Sequence, residues 1–166
     1  MNAGTHAIGA IATGTFYLTI SSLPITTIYS PEGIVFTASA LAGGLLPDIC
    51  QPFSWIGRRT GILSKLIGKI FGHRTITHSI LFVFFMYLVV EGIPGVYGTA
   101  IQAGLLSGII SHILLDMLTT RGVAILYPIK YNVSFPVTTK TGSIFGEGLI
   151  SLLMLGWIIY YAMGLA

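Results

Sequence analysis

Five long apolar segments, separated by short polar connections, dominate this chain of 166 residues. Charged residues make up only 8% of the sequence and hydrophobic residues 54%, whereas roughly a quarter of the residues in an ordinary soluble domain are charged. Because a helix needs about 20 apolar residues to cross a bilayer, the sequence predicts an all-α integral membrane bundle of about five transmembrane helices. We expect a single membrane-embedded domain over residues 1–166, since the length leaves no room for a second one.

The five predicted spans are unequal in length and cover approximately residues 7–28, 34–47, 76–90, 97–118 and 142 onwards. Residues 55–72 follow another pattern, with apolar side chains at helical spacing on one side and Arg58 and Lys65 on the other. This pattern predicts one amphipathic helix that lies in the membrane interface. In the fourth span, Gly104 and Gly108 have the spacing that lets two helix backbones approach closely.

All eight basic residues fall in two connections, those after the second and the fourth predicted spans. In a five-span bundle these two connections lie on the same side of the membrane as the N-terminus. The positive-inside rule makes that side cytoplasmic, which predicts a multi-pass protein of the bacterial inner membrane. Because basic residues in such a protein first set its orientation, the net charge of +3 gives little support to a nucleic-acid partner.

A histidine and an aspartate, His112 and Asp116, interrupt the end of the fourth apolar segment on one helix face. An ionisable residue inside a membrane costs roughly 2.5–3.5 kcal/mol on insertion scales, so it persists where a partner or a function compensates. The predicted orientation brings further ionisable residues to the same end of the bundle: His6, Asp48, His73, His78 and Glu147. Imidazole and carboxylate groups suit zinc, with manganese or iron as alternatives, so the pattern predicts one or two divalent metal ions.

Several of these residues also have an ordinary structural explanation. His112 and Asp116 alone could be a hydrogen-bonded packing pair, and Asp48 could be a helix-end residue that follows a proline. His6 alone is more often an interfacial histidine than a ligand. Glu147 lies near the start of the last helix, where the helix dipole favours a negative charge, and is the weaker candidate. The number of such residues at one end favours a metal site over these separate explanations.

Short motifs along the chain resemble those of the bacterial membrane-bound, metal-dependent hydrolases described as LexA-regulated inner-membrane hydrolases. The shared motifs are TH at residues 5–6, LLPD at 45–48, HRTITHS at 73–79 and SHILLDMLTTRGVAILYP at 111–128. They occur in the family's order and span most of the chain. Two positions differ: Cys50 stands where the family usually has a second aspartate, and Thr75 or Ile76 stands where it has a glycine. Cys50, the single cysteine, is interpreted as a small apolar residue.

The order His, Asp, His and HxxxD is also distantly similar to the metal-binding order of the soluble zinc-dependent phospholipase C and S1/P1 nuclease group. That similarity implies five metal ligands: His6, Asp48, His78, His112 and Asp116. It implies that Asp116 bridges two ions and that metal-activated water cleaves a phosphoester of a membrane lipid or lipid-linked substrate at the cytoplasmic face. In this hypothesis Arg74 or Arg121 stabilises the developing negative charge. His73 or Glu147 then protonates the leaving group.

An ion or proton transporter is the main alternative, because such proteins also hold histidine and aspartate inside the membrane. A transporter needs polar groups that are reachable from both sides, and the opposite side carries only Glu32 and Glu91 among the carboxylates. A third hypothesis is a metal that only braces the helix ends. The sequence leaves the substrate headgroup and the oligomeric state open.

Overall fold

The protein is a helical bundle, and the computed structural model describes residues 1–25 and 27–165. Its helices in this described part are α1 (Ala3–Ile20), α2 (Pro31–Leu45), α3 (Gly57–Thr60), α4 (Ile62–Phe71), α5 (Ile80–Glu91), α6 (Gly95–Met117) and α7 (Ile144–Ala162). Two short 3-10 turns, Leu46–Cys50 and Ile76–His78, follow α2 and precede α5. The predicted all-α fold is therefore confirmed.

Within the described residues, three helical segments are long and apolar enough to cross a membrane by length and composition: α6, α7 and Pro31–Cys50, in which the first 3-10 turn continues α2. Helix α1 has 18 residues. Helix α5 is apolar but has 12 residues, and about 18 Å of helix is shorter than a hydrocarbon core of roughly 30 Å. Five apolar helices thus occur in the predicted order, and three segments of full spanning length are consistent with a helical membrane protein.

The first helix ends earlier than predicted, at Ile20 instead of near residue 28. Ser21 takes an extended backbone, and its amide still bonds the last turn of α1. Pro24 follows, and a proline has no N–H with which to continue a helix. The apolar residues beyond this point therefore belong to the connection that leads to α2.

The third apolar helix begins later than predicted, at Ile80. The preceding residues, Ile76–His78, form a separate 3-10 turn. Ser79 then caps α5, because its hydroxyl accepts a hydrogen bond from the amide of Phe82. The prediction that His78 lies on the first turn of this helix was wrong. It lies on the turn before it, and this turn aims its ring into the end of the bundle.

The predicted amphipathic helix is divided into α3 and α4 at Gly61, which has a φ of +51°. On α4 the apolar side chains of Ile62 and Ile70 are 85% and 61% exposed, as expected for a helix that offers its apolar side to lipid. A Cβ at Gly68 would lie against the carbonyl oxygen of Cys50. This close approach shows that the other side of α4 packs on the turn that follows α2.

Helices α2 and α6 approach each other at the level of the backbone. A Cβ at Gly108 would collide with the backbone of Ala40 and Gly44, and one at Gly104 with the carbonyl oxygen of Phe36. The close contact predicted from the spacing of these glycines is confirmed. It fixes the register of the two helices, so the next turn of α6 lies beside the end of α2.

The connection over residues 118–143 folds back across the end of α6. The amide of Phe135 donates to the carbonyl of Met117 at 2.9 Å, and the amide of Ala124 donates to the carbonyl of Arg74 at 3.0 Å. These bonds tie the connection both to α6 and to the loop before α5. The loop that carries Arg74 is thereby held against the end of the bundle.

Candidate metal centre

Side chains from five separate stretches meet at one end of the bundle. They come from the start of α1, the turn after α2, the loop and turn before α5, the end of α6 and the start of α7. The part of the chain that the structure describes contains three overlapping groups in which each residue offers a ligand atom within 4.8 Å of the others: His6, Asp48 and His112; Asp48, His73 and His78; and His78, His112 and Asp116. All four histidines of the chain thus lie together with two carboxylates.

Two buried imidazoles face each other at the centre of these groups. The Nδ1–H of His112 donates to the carbonyl oxygen of Gly44 at 2.7 Å, so its Nε2 carries a free lone pair. Nδ1 of His78 lies 3.0 Å from the hydroxyl of Thr77. Metal-binding histidines commonly make such a bond through the ring nitrogen that does not bind the metal. The packing of α6 against α2 therefore sets both the tautomer and the direction of His112.

The two Nε2 atoms lie about as far apart as two nitrogens that bind one metal ion. They lie 3.1 Å apart in His78 and His112, and two nitrogens bound tetrahedrally to one zinc ion lie roughly 3.3 Å apart. Oδ2 of Asp116 lies 3.5 Å from Nε2 of His78 and 4.0 Å from Nε2 of His112. Oδ1 of Asp48 lies 3.9 and 3.8 Å from the same two nitrogens. Because two lone pairs repel, a proton or a cation must lie between the nitrogens. The two carboxylates favour a cation.

The surroundings of His78 also favour positive charge. Burial acts to lower the pKa of this imidazole, but its contacts with the Asp116 carboxylate and the Cys50 thiol outweigh burial and raise the pKa. The ring is fully buried.

His6 is placed beside this centre without a hydrogen-bonding partner of its own. Its ring stacks on that of His112 with 3.7 Å between centroids and 9° between planes. The side chain is 1% exposed, and neither ring nitrogen has a hydrogen-bond partner within the described residues. Nε2 lies 3.4 Å from Oδ1 of Asp116. An unpaired buried nitrogen is costly, and a cation close to Asp48 and His112 would satisfy it.

Arg74 also contacts the carboxylate of Asp116. One guanidinium nitrogen lies 3.0 Å from Oδ2 of Asp116, and another donates to the hydroxyl of Thr119 at 2.6 Å. Oδ1 of the same aspartate contacts the amino group of Met1. Arg74 has a φ of 62°, in the left-handed region that costs a non-glycine residue energy. The backbone is held in this conformation while the side chain points at the cluster formed by the three ligand groups.

A cavity of about 410 Å³ leads from the cluster to the surface. Asp48, His73, Arg74 and Asp116 line its inner part, and the exposed residues Arg58 and Arg121 line it as well. It therefore combines the candidate metal ligands with three guanidinium groups. Such a cavity suits an anionic molecule that must approach a cation.

Comparison with known proteins matches the whole chain to one protein family. A model of the family described as YdjM inner membrane protein matches residues 1–166. The chain belongs to the YdjM inner membrane protein family. The uncharacterized protein YvsG of Bacillus subtilis (strain 168) is 37% identical over 164 residues, which cover 98% of this chain and 96% of YvsG.

Two other relatives carry the family's own name. Inner membrane protein YdjM of Escherichia coli (strain K12) is 35% identical over 167 residues, which cover 96% of this chain and 82% of that protein. The YdjM protein of Shigella flexneri gives the same values. No solved structure matches the chain. Membership of the YdjM family confirms the predicted bacterial inner-membrane location. The protein is thus a membrane protein whose buried His/Asp cluster could bind a metal.

Glu147 has a different environment from the one that the sequence suggested for a proton donor. In this YdjM-family protein its Oε2 accepts hydrogen bonds from the side-chain amide of Asn2 at 2.6 Å and from the hydroxyl of Thr5 at 3.1 Å. Its Oε1 accepts one from the amide of Gly142 at 2.7 Å. Among the described residues, the groups at ligand distance do not include it. The carboxylate ties the start of α7 to the start of α1, which carries His6.

Replacing Glu147 with alanine is expected to destabilise the fold by about 1–3 kcal/mol, because four donors lose a buried acceptor. These donors are the backbone and side-chain amides of Asn2, the hydroxyl of Thr5 and the amide of Gly142. The zinc content of the folded fraction should stay unchanged. Unfolding in detergent followed by circular dichroism measures the first effect, and elemental analysis measures the second. As a control, Glu91→Ala removes an exposed carboxylate that accepts a hydrogen bond from the hydroxyl of Tyr87 and should cost less than about 0.5 kcal/mol. Equal stability of the Glu147 variant and the native protein would contradict the bracing role.

Cys50 was interpreted from the sequence as a small apolar residue, and that interpretation was incomplete. The thiol is buried, but its sulfur lies 3.2 Å from Nδ1 of His73. The turn that follows α2 carries both Asp48 and Cys50, and of these two only Asp48 belongs to a group at ligand distance among the described residues. The spacing of these two residues was visible in the sequence. The contact with His73, from a loop beyond α4, was not.

Proposed function

We propose that this YdjM-family protein is a membrane-bound, metal-dependent hydrolase that cleaves a phosphoester of a lipid or lipid-linked substrate at the cytoplasmic face of the inner membrane. One observation carries the proposal. The Nε2 atoms of His78 and His112 face each other at 3.1 Å beside two carboxylates, next to a cavity with three arginines. A divalent cation, with zinc as the best match, completes this arrangement.

A cation bound there would lower the pKa of a bound water toward about 7 and polarise a phosphoryl oxygen. The residues of the chain supply the rest of the chemistry. Asp48, which is 18% exposed at the side chain, lies at the cavity and can accept a hydrogen bond from the attacking water. Arg74 holds Asp116 in place and offers its charge to the phosphoryl group. His73 lines the cavity and in this proposal protonates the leaving oxygen.

An apolar groove next to the cluster supports a lipid as the substrate. It has a volume of about 390 Å³, lies between α4 and α5, and is lined by Ile67, Phe71, Ile76, Thr77, Leu81, Phe82 and Phe85. Thr77 belongs to this groove and also contacts the imidazole of His78. An acyl chain in the groove would therefore lie one residue away from the metal centre.

The distribution of charge supports access from the cytoplasm. The eight basic residues all lie in the connections between α2 and α5 and between α6 and α7, at the end of the bundle where the cavity lies. On α6, the buried side chains of Leu105 and Ile109 belong to an apolar core and lie between His112 and the opposite end of the helix. A polar route across the membrane, which a transporter needs, has no support from this arrangement.

The test is hydrolysis of a panel of phosphorylated lipids by the purified protein in detergent or nanodiscs. We expect release of phosphate or of a phosphorylated headgroup, loss of this activity with a chelator, and recovery with zinc. Asp116→Asn should lower the rate by at least about 100-fold. Bound metal without turnover on any lipid would instead favour the structural brace. Metal or proton flux into proteoliposomes without hydrolysis would favour the transporter.

Arg121 offers a narrower test of how the substrate is held. Replacing it with glutamine should raise the KM for an anionic lipid by about tenfold, the effect of losing one charged hydrogen bond. The kcat should change little, because Arg121 lines the cavity while Arg74 is the arginine that pairs with Asp116 among the described residues. Lys130→Gln is the matched control, since this exposed lysine does not line the cavity. Equal KM values for the two variants would remove Arg121 from substrate binding.

A further inference from the structure

The hydroxyl of Thr119 lies between the backbone of Asp116 and the side chain of Arg74. Thr119 follows the end of α6 and is fully buried. Its hydroxyl lies 2.6 Å from a guanidinium nitrogen of Arg74 and 2.7 Å from the backbone carbonyl oxygen of Asp116. A guanidinium has donors and no acceptor, so the hydroxyl accepts from Arg74. Its single proton therefore goes to the carbonyl of Asp116.

These two bonds belong to a closed ring of contacts that starts and ends at Asp116. A second guanidinium nitrogen of Arg74 lies 3.0 Å from Oδ2 of Asp116. The ring thus runs from the backbone carbonyl of Asp116 through Thr119 and Arg74 to the carboxylate of the same residue. Because the guanidinium is planar and its donors have a fixed geometry, the ring sets the direction of the carboxylate relative to α6. That carboxylate lies 3.5 Å from Nε2 of His78.

The backbone conformation of Arg74 also depends on the segment that contains Thr119. Arg74 has a φ of 62°, and a residue with a side chain keeps such a conformation only where its surroundings hold it. Its carbonyl accepts a hydrogen bond from the amide of Ala124 at 3.0 Å. Its guanidinium donates to the carbonyl of Gly122 at 3.3 Å. Residues 119–124 therefore hold Arg74 at both its backbone and its side chain.

A simpler role for Thr119 is to satisfy the end of a helix. The last carbonyls of a helix lack partners within it, and the hydroxyl of a serine or threonine three residues later can satisfy one. This role explains the bond to the carbonyl of Asp116. It does not explain why the same buried hydroxyl also accepts from Arg74, which is itself buried and pairs with a candidate metal ligand.

We propose that Thr119 is a positioning residue of the metal centre. Its hydroxyl sets the direction of the Arg74 guanidinium, which in turn holds the Asp116 carboxylate toward the two imidazoles. Removal of a group that orients a metal ligand through hydrogen bonds typically costs 10- to 100-fold in metal affinity. The inference rests on the metal centre of the proposed function and does not depend on the hydrolysis.

The zinc affinity of full-length variants tests this role. Thr119→Val and Thr119→Ala lack the hydroxyl, so their dissociation constants for zinc should rise by about 10- to 100-fold. Thr119→Ser keeps the hydroxyl and should bind zinc as the native protein does. Thr120→Val is the matched control, because Thr120 is the next residue and is exposed. Native affinity without the hydroxyl, or weakened binding in a folded Thr119→Ser variant, would overturn the proposal.

A double-mutant cycle separates positioning from a merely structural role. Arg74→Lys keeps the positive charge, but an ammonium group lacks the planar fork that joins Thr119 to Asp116. If Thr119 acts through Arg74, adding Thr119→Val to Arg74→Lys should weaken zinc binding little further. If Thr119 only supports the fold, the two losses in affinity should multiply, and that result would overturn the proposal.

The outcomes also separate this role from the proposed function. Native protein that binds no zinc would reject both. Zinc binding and lipid hydrolysis by the native protein, with unchanged zinc affinity in Thr119→Val, would keep the proposed function and reject the role of Thr119. Weaker zinc binding in Thr119→Val, with no hydrolysis of any lipid by the native protein, would support the role of Thr119 and reject the hydrolase.

Discussion

His112→Ala is expected to lower the affinity of the protein for zinc by at least about 100-fold, more than the 10- to 100-fold that changes outside the ligand shell usually cost. The variant loses the Nε2 that faces His78 at 3.1 Å, so the metal would have one ligand fewer. Titration against zinc buffers measures the affinity, and lipid hydrolysis should fall in parallel. Ser107→Ala is the control on the same helix, because that hydroxyl donates within α6, to the carbonyl of Gly104.

His112 also has a structural role that must be separated from metal binding. Its Nδ1–H satisfies the carbonyl of Gly44, and loss of a buried hydrogen bond costs about 1–3 kcal/mol. Asp48→Asn provides the second variant, since Asp48 is partly exposed and asparagine keeps its shape. It should lose zinc affinity while the unfolding temperature of the metal-free protein stays the same. Native zinc affinity in both variants would contradict the metal centre.

Gly108→Ala is expected to destabilise the bundle by about 1–3 kcal/mol or more, the usual cost of forcing extra atoms into a packed interior. The added Cβ would meet the backbone of Ala40 and Gly44, and backbone cannot move aside as a flexible side chain can. Helices α2 and α6 must separate, which also pulls His112 from its partner on α2. We therefore expect lower thermal stability in detergent together with weaker zinc binding.

Gly156→Ala is the matched control for this substitution. Gly156 lies in the interior of α7, and a Cβ there would meet nothing within 4 Å. Alanine should stabilise the helix by up to about 1 kcal/mol. If Gly108→Ala unfolded at the same temperature as the native protein, the backbone contact between α2 and α6 would not set the position of His112.

The sequence predicted the helical membrane fold because that information is carried by long apolar runs, which need no knowledge of tertiary contacts. The boundaries were less predictable where local capping decided them. Ser79 ends the turn that carries His78 and starts α5, although the apolar pattern continues across it. The division at Gly61 depends on a positive φ, and hydrophobic periodicity does not report backbone angles.

The candidate site was predictable to the extent that chain topology decides it. Counting the spans placed the four histidines at one end, and the structure brings them within ligand distance of two carboxylates. The environment of Glu147 depends on Asn2 and Gly142, and that of Cys50 on His73. Such contacts join residues distant in sequence through turns, so no local pattern identifies them.

The most direct measurement for the central claim is X-ray diffraction from zinc-loaded crystals at the zinc absorption edge. The account predicts an anomalous peak about 2.0–2.1 Å from Nε2 of both His78 and His112, with Asp116 or Asp48 completing the coordination. Crystals that contain zinc elsewhere, or whose two imidazoles stay hydrogen-bonded to each other in excess zinc, would contradict it.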